Sequence, residues 1–154
     1  MDTGRVHIRS HWQEISVTAD DIVAAARECC GTPFQHQGRV LGVGMDCAGV
    51  AIHALGVAGG NPVDVPGYGE TPNKGALQSA LDSQPDLEVV PFPATPQAGD
   101  VLLFRFFNEP QHVGICTGAG VIHAYSSIGE CVEHDLCSKW LGRIVRVYRV
   151  KGLT

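Results

Sequence analysis

Residues 38–57 read GRVLGVGMDCAGVAIHALGV. A loop with three glycines leads into Asp46 and Cys47, and the residues that follow are small and apolar. This pattern predicts a buried helix that begins at Cys47, with Asp46 as its N-cap. Unpaired backbone N–H groups and the positive end of the helix dipole meet at such a position, and both favour a thiolate. Because a thiolate is the nucleophile of cysteine hydrolases, the segment predicts that Cys47 is catalytic.

Two histidines follow Cys47 in strand-like segments. His112 lies in QHVGI and His123 lies in VIHAY, with the glycine-containing turn GAG between the two segments. Neighbouring antiparallel strands would bring the two imidazole rings within hydrogen-bond reach. Taken singly, a helical cysteine is more often a small buried apolar side chain, and a strand histidine can be a satisfied structural group. The three residues together favour a thiol nucleophile with a histidine base.

Composition limits the classes of protein to which the chain can belong. The 154 residues are 44% hydrophobic and 18% charged, which predicts one globular domain with its own core. The net charge of −5 without a basic run argues against a nucleic-acid partner. No apolar stretch is long enough to predict a membrane span. The first residues lack the apolar segment of a signal peptide, so we expect synthesis in the cytoplasm without one.

The predicted elements place helices before strands. Thr18 is expected to cap a helix that ends near Cys30, a second helix should run from Cys47 to about Ala58, and Asn73 is expected to cap a third. Strand-like segments follow at residues 101–106, 112–117, 121–125, 130–136 and 143–150. The sequence therefore predicts an α+β, papain-like arrangement in which N-terminal helices pack on a C-terminal antiparallel sheet of about five strands. Residues 1–17 are expected to form an extended arm, and residues 18–154 a single domain.

The six cysteines do not predict a metal site or a redox motif, because no C-x-x-C is present. Cys131, His134 and Cys137 are the one cluster with metal-like spacing. On a strand their side chains would not all share one face, so no metal and no other cofactor is expected. His134 has no other supporting context. Asp100 is expected in the turn that starts a strand, and Trp140 is expected to pack near the end of the chain.

Five short motifs occur in an order that resembles the NlpC-type papain-like cell-wall peptidases, over residues 22 to 150 or so. They are Gly31-Thr32-Pro33-Phe34, Asp46-Cys47-Ala48-Gly49, Gly99-Asp100-Val101-Leu102-Leu103-Phe104, His112-Val113-Gly114-Ile115 and Val121-Ile122-His123-Ala124. The segment GTPFQHQ at residues 31–37, with the long glycine-rich loop after it, resembles the branch that bacteriophages and prophages encode for tail assembly and cell-wall entry.

The resemblance implies a role for each site residue. Cys47 would be the nucleophile, His112 the general base, and His123 the polar residue that orients the imidazole of His112. The substrate would be a peptidoglycan stem peptide, cut at an amide bond next to D-glutamate. Many relatives carry a tyrosine where this chain has Phe34. We therefore expect substrate contacts from Phe34, the nearby His36 and Asp46.

The resemblance also implies partners and a place of action, and two alternatives remain. Phage tail proteins are the expected partners, and the virion tail or the cell wall is the expected location. The same residues would serve another acyl-transfer enzyme on the same fold, such as an amidase, a deamidase or a transacylase. A non-enzymatic tail component is the other alternative, although such a protein would not require Cys47, His112 and His123 together.

Overall fold

A computed structural model of the chain describes residues 16–69 and 75–154. Most of the expected N-terminal arm, and the expected helix cap Asn73, therefore lie outside the described residues. Where the described chain begins, the backbone carbonyl of Val17 accepts a hydrogen bond from the N–H of Thr154 at 3.2 Å. The division into an arm and one domain stays a prediction.

The described helices are α1 (Ala19–Glu28), α2 (Cys47–Val57), α3 (Ala76–Asp82) and α4 (Ser138–Leu141). The predicted cap of α1 is confirmed, since the Thr18 hydroxyl accepts a hydrogen bond from the N–H of Asp21 at 3.1 Å. The start of α2 at Cys47 is also confirmed. None of the helices in residues 16–69 and 75–154 is long and apolar enough to cross a lipid bilayer.

The main sheet has six antiparallel strands, which confirms the predicted α+β arrangement with a sheet of about five strands and adds one short strand, β3, to it. The strands are β3 (Leu87–Val89), β4 (Val101–Phe106), β5 (Glu109–Cys116), β6 (Gly120–Tyr125), β7 (Glu130–Asp135) and β8 (Ile144–Val150). Their spatial order is β3-β8-β4-β5-β6-β7. Strand β3 was not predicted from the sequence, because its three residues lie in a proline-rich segment and become a strand through their pairing with β8.

The glycine-rich loop before α2 forms a small hairpin of its own, with β1 (Arg39–Val40) paired to β2 (Gly44–Met45). Gly42 turns the chain between them with a φ of +77°, which a glycine adopts without strain. The tip leaves the apolar side chains of Val40, Leu41 and Val43 exposed. This hairpin delivers the chain to the first residue of α2.

Helices α1 and α2 pack together on the sheet, with α2 against β5 and β6. The core between them is aliphatic and includes Ile22, Val50, Ala54, Leu103 and Ile115, all buried. Burial of such side chains is the dominant favourable term in folding. This packing places the N-terminus of α2 beside the strands that carry the predicted histidines.

Candidate active site

Cys47 is the first residue of α2, where backbone N–H groups have no intrahelical partner. The first helical hydrogen bond runs from the N–H of Val50 to the carbonyl of Asp46, so the N–H groups of Cys47 and Ala48 precede it. The Cys47 thiol faces the backbone N–H of Val113, the residue after His112. A negatively charged oxygen next to Cys47 would therefore meet unpaired backbone donors.

Asp46 is buried, and four donors from the protein surround its carboxylate. Oδ1 accepts from the N–H of Gly49 and from Nη1 of Arg39, both at 2.9 Å. Oδ2 accepts from the N–H of Gln37 at 2.8 Å and from the hydroxyl of Tyr68. The predicted N-cap is confirmed. These donors tie Arg39 and Tyr68 to the Asp46 carboxylate, and the expected contact of Asp46 with substrate stays a prediction.

His112 on β5 and His123 on β6 are both buried, and their rings make the cross-strand contact that their spacing predicts. Nε2 of His112 lies 2.6 Å from Nδ1 of His123. Gly114 provides the space for this contact, since a Cβ there would lie 2.5 Å from Cγ2 of Val121 and 3.3 Å from Cβ of His123. Within the described residues, Nδ1 of His112 has no hydrogen-bond partner, so it is the nitrogen available to a thiol.

A third histidine, His134 on β7, continues this contact, although the sequence analysis gave it no role. Nε2 of His134 lies 2.8 Å from Nε2 of His123, and its Nδ1 lies 2.9 Å from the backbone carbonyl oxygen of Asp135. In the sheet register His134 is opposite Val121, and His123 is opposite Val132, so the two histidines share a face. The signal in the sequence was the equal spacing of 11 residues between His112, His123 and His134.

Trp140 packs beside all three imidazoles. Its ring centroid lies 5.0 Å from that of His123, 5.3 Å from that of His134 and 6.4 Å from that of His112. Phe106, on β4, stacks on His112 with the two ring centroids 5.4 Å apart. The expected packing role of Trp140 is thus to cover the histidines, and these rings exclude water from the pair His112–His123.

The protein environment favours neutral forms of the thiol and of both buried imidazoles. Burial, followed by the like charge on His123, keeps the pKa of His112 well below its usual value. Burial, followed by the like charge on His134, lowers the pKa of His123 to about 3. Burial, followed by the charge on Asp46, raises the pKa of Cys47 to about 11, although the N–H groups of Val113 and Ala48 oppose this rise.

Burial and the charge on Asp46 therefore oppose the thiolate that the start of α2 favours at Cys47. Desolvation penalises the charged form of the thiol by more than the backbone N–H groups stabilise it. No hydrogen bond joins the Cys47 thiol to His112 within the described part of the chain. Because this environment disfavours the thiolate, a base must remove the thiol proton during the reaction.

The region around Phe34 and His36 shows where a hydroxyl approaches the site. Phe34 is partly buried, and its N–H donates to the carbonyl of Gly129 at 2.8 Å. His36 contacts the ring of Tyr68 edge-on, with centroids 5.5 Å apart. The hydroxyl of Tyr68 bonds Asp46 and accepts from Nη2 of Arg39 at 2.7 Å. Tyr68 was not predicted from the sequence, because it lies in a loop without periodicity.

A cleft opens at Cys47, between α2, α3, the sheet and the loop that carries Asp64 and Tyr68. Arg39, Asp64 and Tyr68 line it on the polar side. Aliphatic residues from α2, α3 and the sheet form most of the remaining wall, including Ala51, Leu55, Leu77, Ala80, Leu81 and Val101. The cleft can therefore hold an apolar group beside the thiol and a charged group beside Arg39.

For residues 16–69 and 75–154, no three histidine, cysteine, aspartate or glutamate side chains are grouped so that they could hold a metal ion. All six cysteines are free. Cys131 is buried and Cys137 is exposed, whereas His134 points to His123.

No protein-family model and no curated protein sequence matches the chain. Solved structures do match it. An NlpC/P60 family protein from Bacillus cereus has a TM-score of 0.63 at 19% identity, with 90% of this chain and 42% of that one covered. A protein from Staphylococcus aureus described as similar to lipoprotein, NLP/P60 family, has a TM-score of 0.60 at 21% identity, with 86% and 41% covered.

The NlpC/p60 domain of the peptidoglycan hydrolase SagA has a TM-score of 0.57 at 25% identity, with 85% of this chain and 97% of that domain covered. The chain therefore has the fold of the NlpC/P60 peptidoglycan hydrolases. It spans about two fifths of the Bacillus cereus and Staphylococcus aureus proteins, which are longer, and corresponds in extent to the SagA domain.

Proposed function

We propose that this chain is a cysteine peptidase that hydrolyses an amide bond in peptidoglycan stem peptides, with Cys47 as the nucleophile. The observation that carries the proposal is the hydrogen bond of 2.6 Å between Nε2 of His112 and Nδ1 of His123. His112 lies on β5, the strand against which α2 packs at Cys47. Because this hydrogen bond occupies Nε2 of His112, Nδ1 of the same ring remains as the base for the thiol. The fold shared with the SagA domain supports peptidoglycan as the substrate class.

The first half of the reaction forms an acyl-enzyme. Nδ1 of His112 takes the proton from Sγ of Cys47 while Sγ attacks the carbonyl carbon of the amide. The N–H groups of Cys47 and Ala48 stabilise the oxyanion of the tetrahedral intermediate. When the intermediate collapses, the C–N bond breaks, His112 returns the proton to the leaving amine, and a thioester remains on Cys47.

The second half hydrolyses the thioester. A water molecule attacks the acyl carbon while Nδ1 of His112 takes one of its protons. Collapse breaks the C–S bond, releases the carboxyl product and returns the proton to Sγ of Cys47. Protons, bonds and electrons balance over the two halves, with water as the only other reactant.

We propose the bond next to D-glutamate as the one cleaved, and Arg39 supports this choice. Its guanidinium lines the cleft with Cys47 and bonds the carboxylate of Asp64, which is 44% exposed. A D-glutamate linked through its side chain keeps a free carboxylate, which can replace that of Asp64 on the guanidinium. Stem peptides that differ only in D-glutamate or D-isoglutamine test the idea by mass spectrometry of the fragments. Faster cleavage of the D-glutamate peptide supports it, and equal rates contradict it.

The apolar wall of the cleft favours a second candidate, an acyl-transfer enzyme that moves an apolar acyl group to an amine. The wall includes the side chains of Leu55, Leu77 and Leu81. Such a wall suits an aliphatic acyl group better than a polar stem peptide. An added amine acceptor separates the two functions, because both proceed through the thioester. A hydrolase releases the free acid at an unchanged rate, whereas a transferase forms the new amide in proportion to the acceptor.

We also propose that the peptidase acts at the cell wall as part of a bacteriophage or prophage tail. The segment at residues 31–37 supports this placement by resemblance. The exposed apolar tip of the β1–β2 hairpin, Val40, Leu41 and Val43, suits contact with a tail protein. The test is co-purification of the chain with tail particles. Loss of co-purification in Leu41→Ser, with peptide hydrolysis retained, supports the proposal, and absence of the wild-type chain from the particles contradicts it.

A further inference from the structure

The three imidazoles form a continuous chain whose far end is a backbone carbonyl. Each link joins two named atoms: His112 Nε2 to His123 Nδ1 at 2.6 Å, His123 Nε2 to His134 Nε2 at 2.8 Å, and His134 Nδ1 to the carbonyl oxygen of Asp135 at 2.9 Å. A carbonyl oxygen can only accept a hydrogen bond. The direction of the entire chain is therefore decided at Asp135.

A neutral imidazole has one N–H and one lone pair, so each link fixes the next. His134 must donate from Nδ1 to the carbonyl, which leaves its Nε2 as an acceptor. His123 must then donate from Nε2 and accept at Nδ1. His112 must in turn donate from Nε2, which leaves the lone pair on its Nδ1. That lone pair is the base that the proposed reaction requires.

We propose that His134 is a positioning residue that fixes the tautomer of His112 through His123. The proposal gives a role to a residue that touches neither Cys47 nor the cleft, and its catalytic consequence depends on the proposed function. Without an acceptor at position 134, His123 can carry its proton on Nδ1 instead. His112 would then hold its lone pair at Nε2 and present an N–H, which cannot accept the thiol proton.

The burial of His112 and His123 makes this control effective. His112 and His123 are buried, and Trp140 packs beside both of them and beside His134. Because the aromatic packing limits the access of water to His123, solvent is a poor replacement for a missing acceptor at position 134. Position 134 is also the one link that backbone structure anchors, since its partner oxygen belongs to the end of β7.

Nitrogen-15 NMR of the imidazoles tests the tautomers directly in the full-length protein. In the wild type we expect the proton on Nε2 of His112 and His123, and on Nδ1 of His134. In His134→Phe, which removes the acceptor but keeps a ring, we expect Nδ1–H forms of His123 and His112 to appear. His134→Gln should retain the wild-type tautomers, because its amide can accept from His123 and donate to Asp135. His53→Phe changes a histidine outside these three hydrogen-bonded imidazoles, and it should alter the tautomer of neither His112 nor His123.

Hydrolysis of a stem peptide provides the second readout. We expect kcat of His134→Phe to fall about 100-fold with KM within about twofold, less than the roughly 10⁴-fold loss when the neighbour of a catalytic histidine imposes the wrong tautomer. His134→Gln should recover most of that loss. Nδ1–H on His112 in the wild type, or unchanged tautomers in His134→Phe, would overturn the proposal. If the wild type shows the expected tautomers but hydrolyses no stem peptide, the proposed function fails and the tautomer assignment stands.

Discussion

Nε2 of His112 and Nδ1 of His123 lie 2.6 Å apart on neighbouring antiparallel strands, beneath the ring of Trp140. At this distance one proton bridges the two nitrogens, and a second positive charge on the pair would be repelled by the first and poorly solvated. Burial also disfavours a first positive charge on either ring, so the environment favours two neutral imidazoles. This state determines how activity depends on pH.

The pH dependence of kcat/KM should place the acid limb well below pH 6.5. Protonated His112 cannot accept the thiol proton, and burial together with His123 keeps its pKa well below the usual value. The base form therefore persists as the pH falls from 7 through 6. Hydrolysis of a defined stem peptide between pH 4 and pH 8 measures the limb, since kcat/KM reports the free enzyme. A half-maximal rate at or above pH 6.5 would contradict the neutral pair.

Alkylation by iodoacetamide should rise steeply with pH at Cys47. Burial and Asp46 raise the pKa of Cys47 to about 11, so the reactive thiolate should increase about tenfold for each pH unit between 7 and 10. Cys137 is the control. It is exposed, and backbone N–H groups led by that of Trp140 lower its pKa, so it should react first at pH 7. Peptide mapping separates the two, and a Cys47 rate that is constant from pH 6 to pH 8 would indicate a preformed thiolate–imidazolium pair.

The Tyr68→Phe variant should lower kcat/KM for a stem peptide about tenfold, the effect expected from the loss of one hydrogen bond to a charged group. Its hydroxyl bonds Asp46 and Arg39 at the polar side of the cleft. His36→Ala is the matched comparison and should cost less, since His36 meets this network through the ring of Tyr68. A larger loss of kcat/KM in His36→Ala than in Tyr68→Phe would instead support the substrate contact that the sequence predicts for His36.

Asp100→Ala should destabilise the fold by about 3 kcal/mol, because it removes two charge-assisted hydrogen bonds at a fully buried carboxylate, each of which contributes roughly 1.5–3 kcal/mol. Asp100 is 0% exposed, and Arg149 binds both of its oxygens at 2.8 Å. Glu133→Ala provides the control. It removes a surface pair with Arg27, with side chains 34% and 54% exposed, and should cost less than about 1 kcal/mol. Urea unfolding of the two variants measures the difference, and equal losses would contradict the assignment of Asp100 to the core.

The sequence predicted those parts of the molecule that depend on local signals. The glycine loop, the Asp46 cap and the apolar residues after Cys47 are such signals, and they gave α2 its correct start. The order of helices and strands likewise gave the α+β arrangement. Strand β3 was missed because three residues between prolines carry little periodicity, and only pairing with β8 makes them a strand.

The parts that depend on three-dimensional proximity were harder to predict. Tyr68 reaches Asp46 from 22 residues away, through a loop whose path no pattern specifies. Burial raises the pKa of Cys47 by more than the N–H groups at the start of the helix lower it. The sequence shows the start of the helix but not the burial. His134 was within reach of the sequence, since its spacing from His123 equals that of His123 from His112. The spacing of Cys131, His134 and Cys137 instead suggested a metal ligand at His134.

As the proposed nucleophile, Cys47 should give the chain a peptidoglycan hydrolase activity. Digestion of purified peptidoglycan sacculi by the wild type and by Cys47→Ala, with matched thermal unfolding and mass spectrometry of the soluble products, tests it most directly. We expect stem-peptide fragments from the wild type and none from Cys47→Ala, with both proteins folded. Fragments from Cys47→Ala at the wild-type rate, or none from a folded wild type, would contradict the claim.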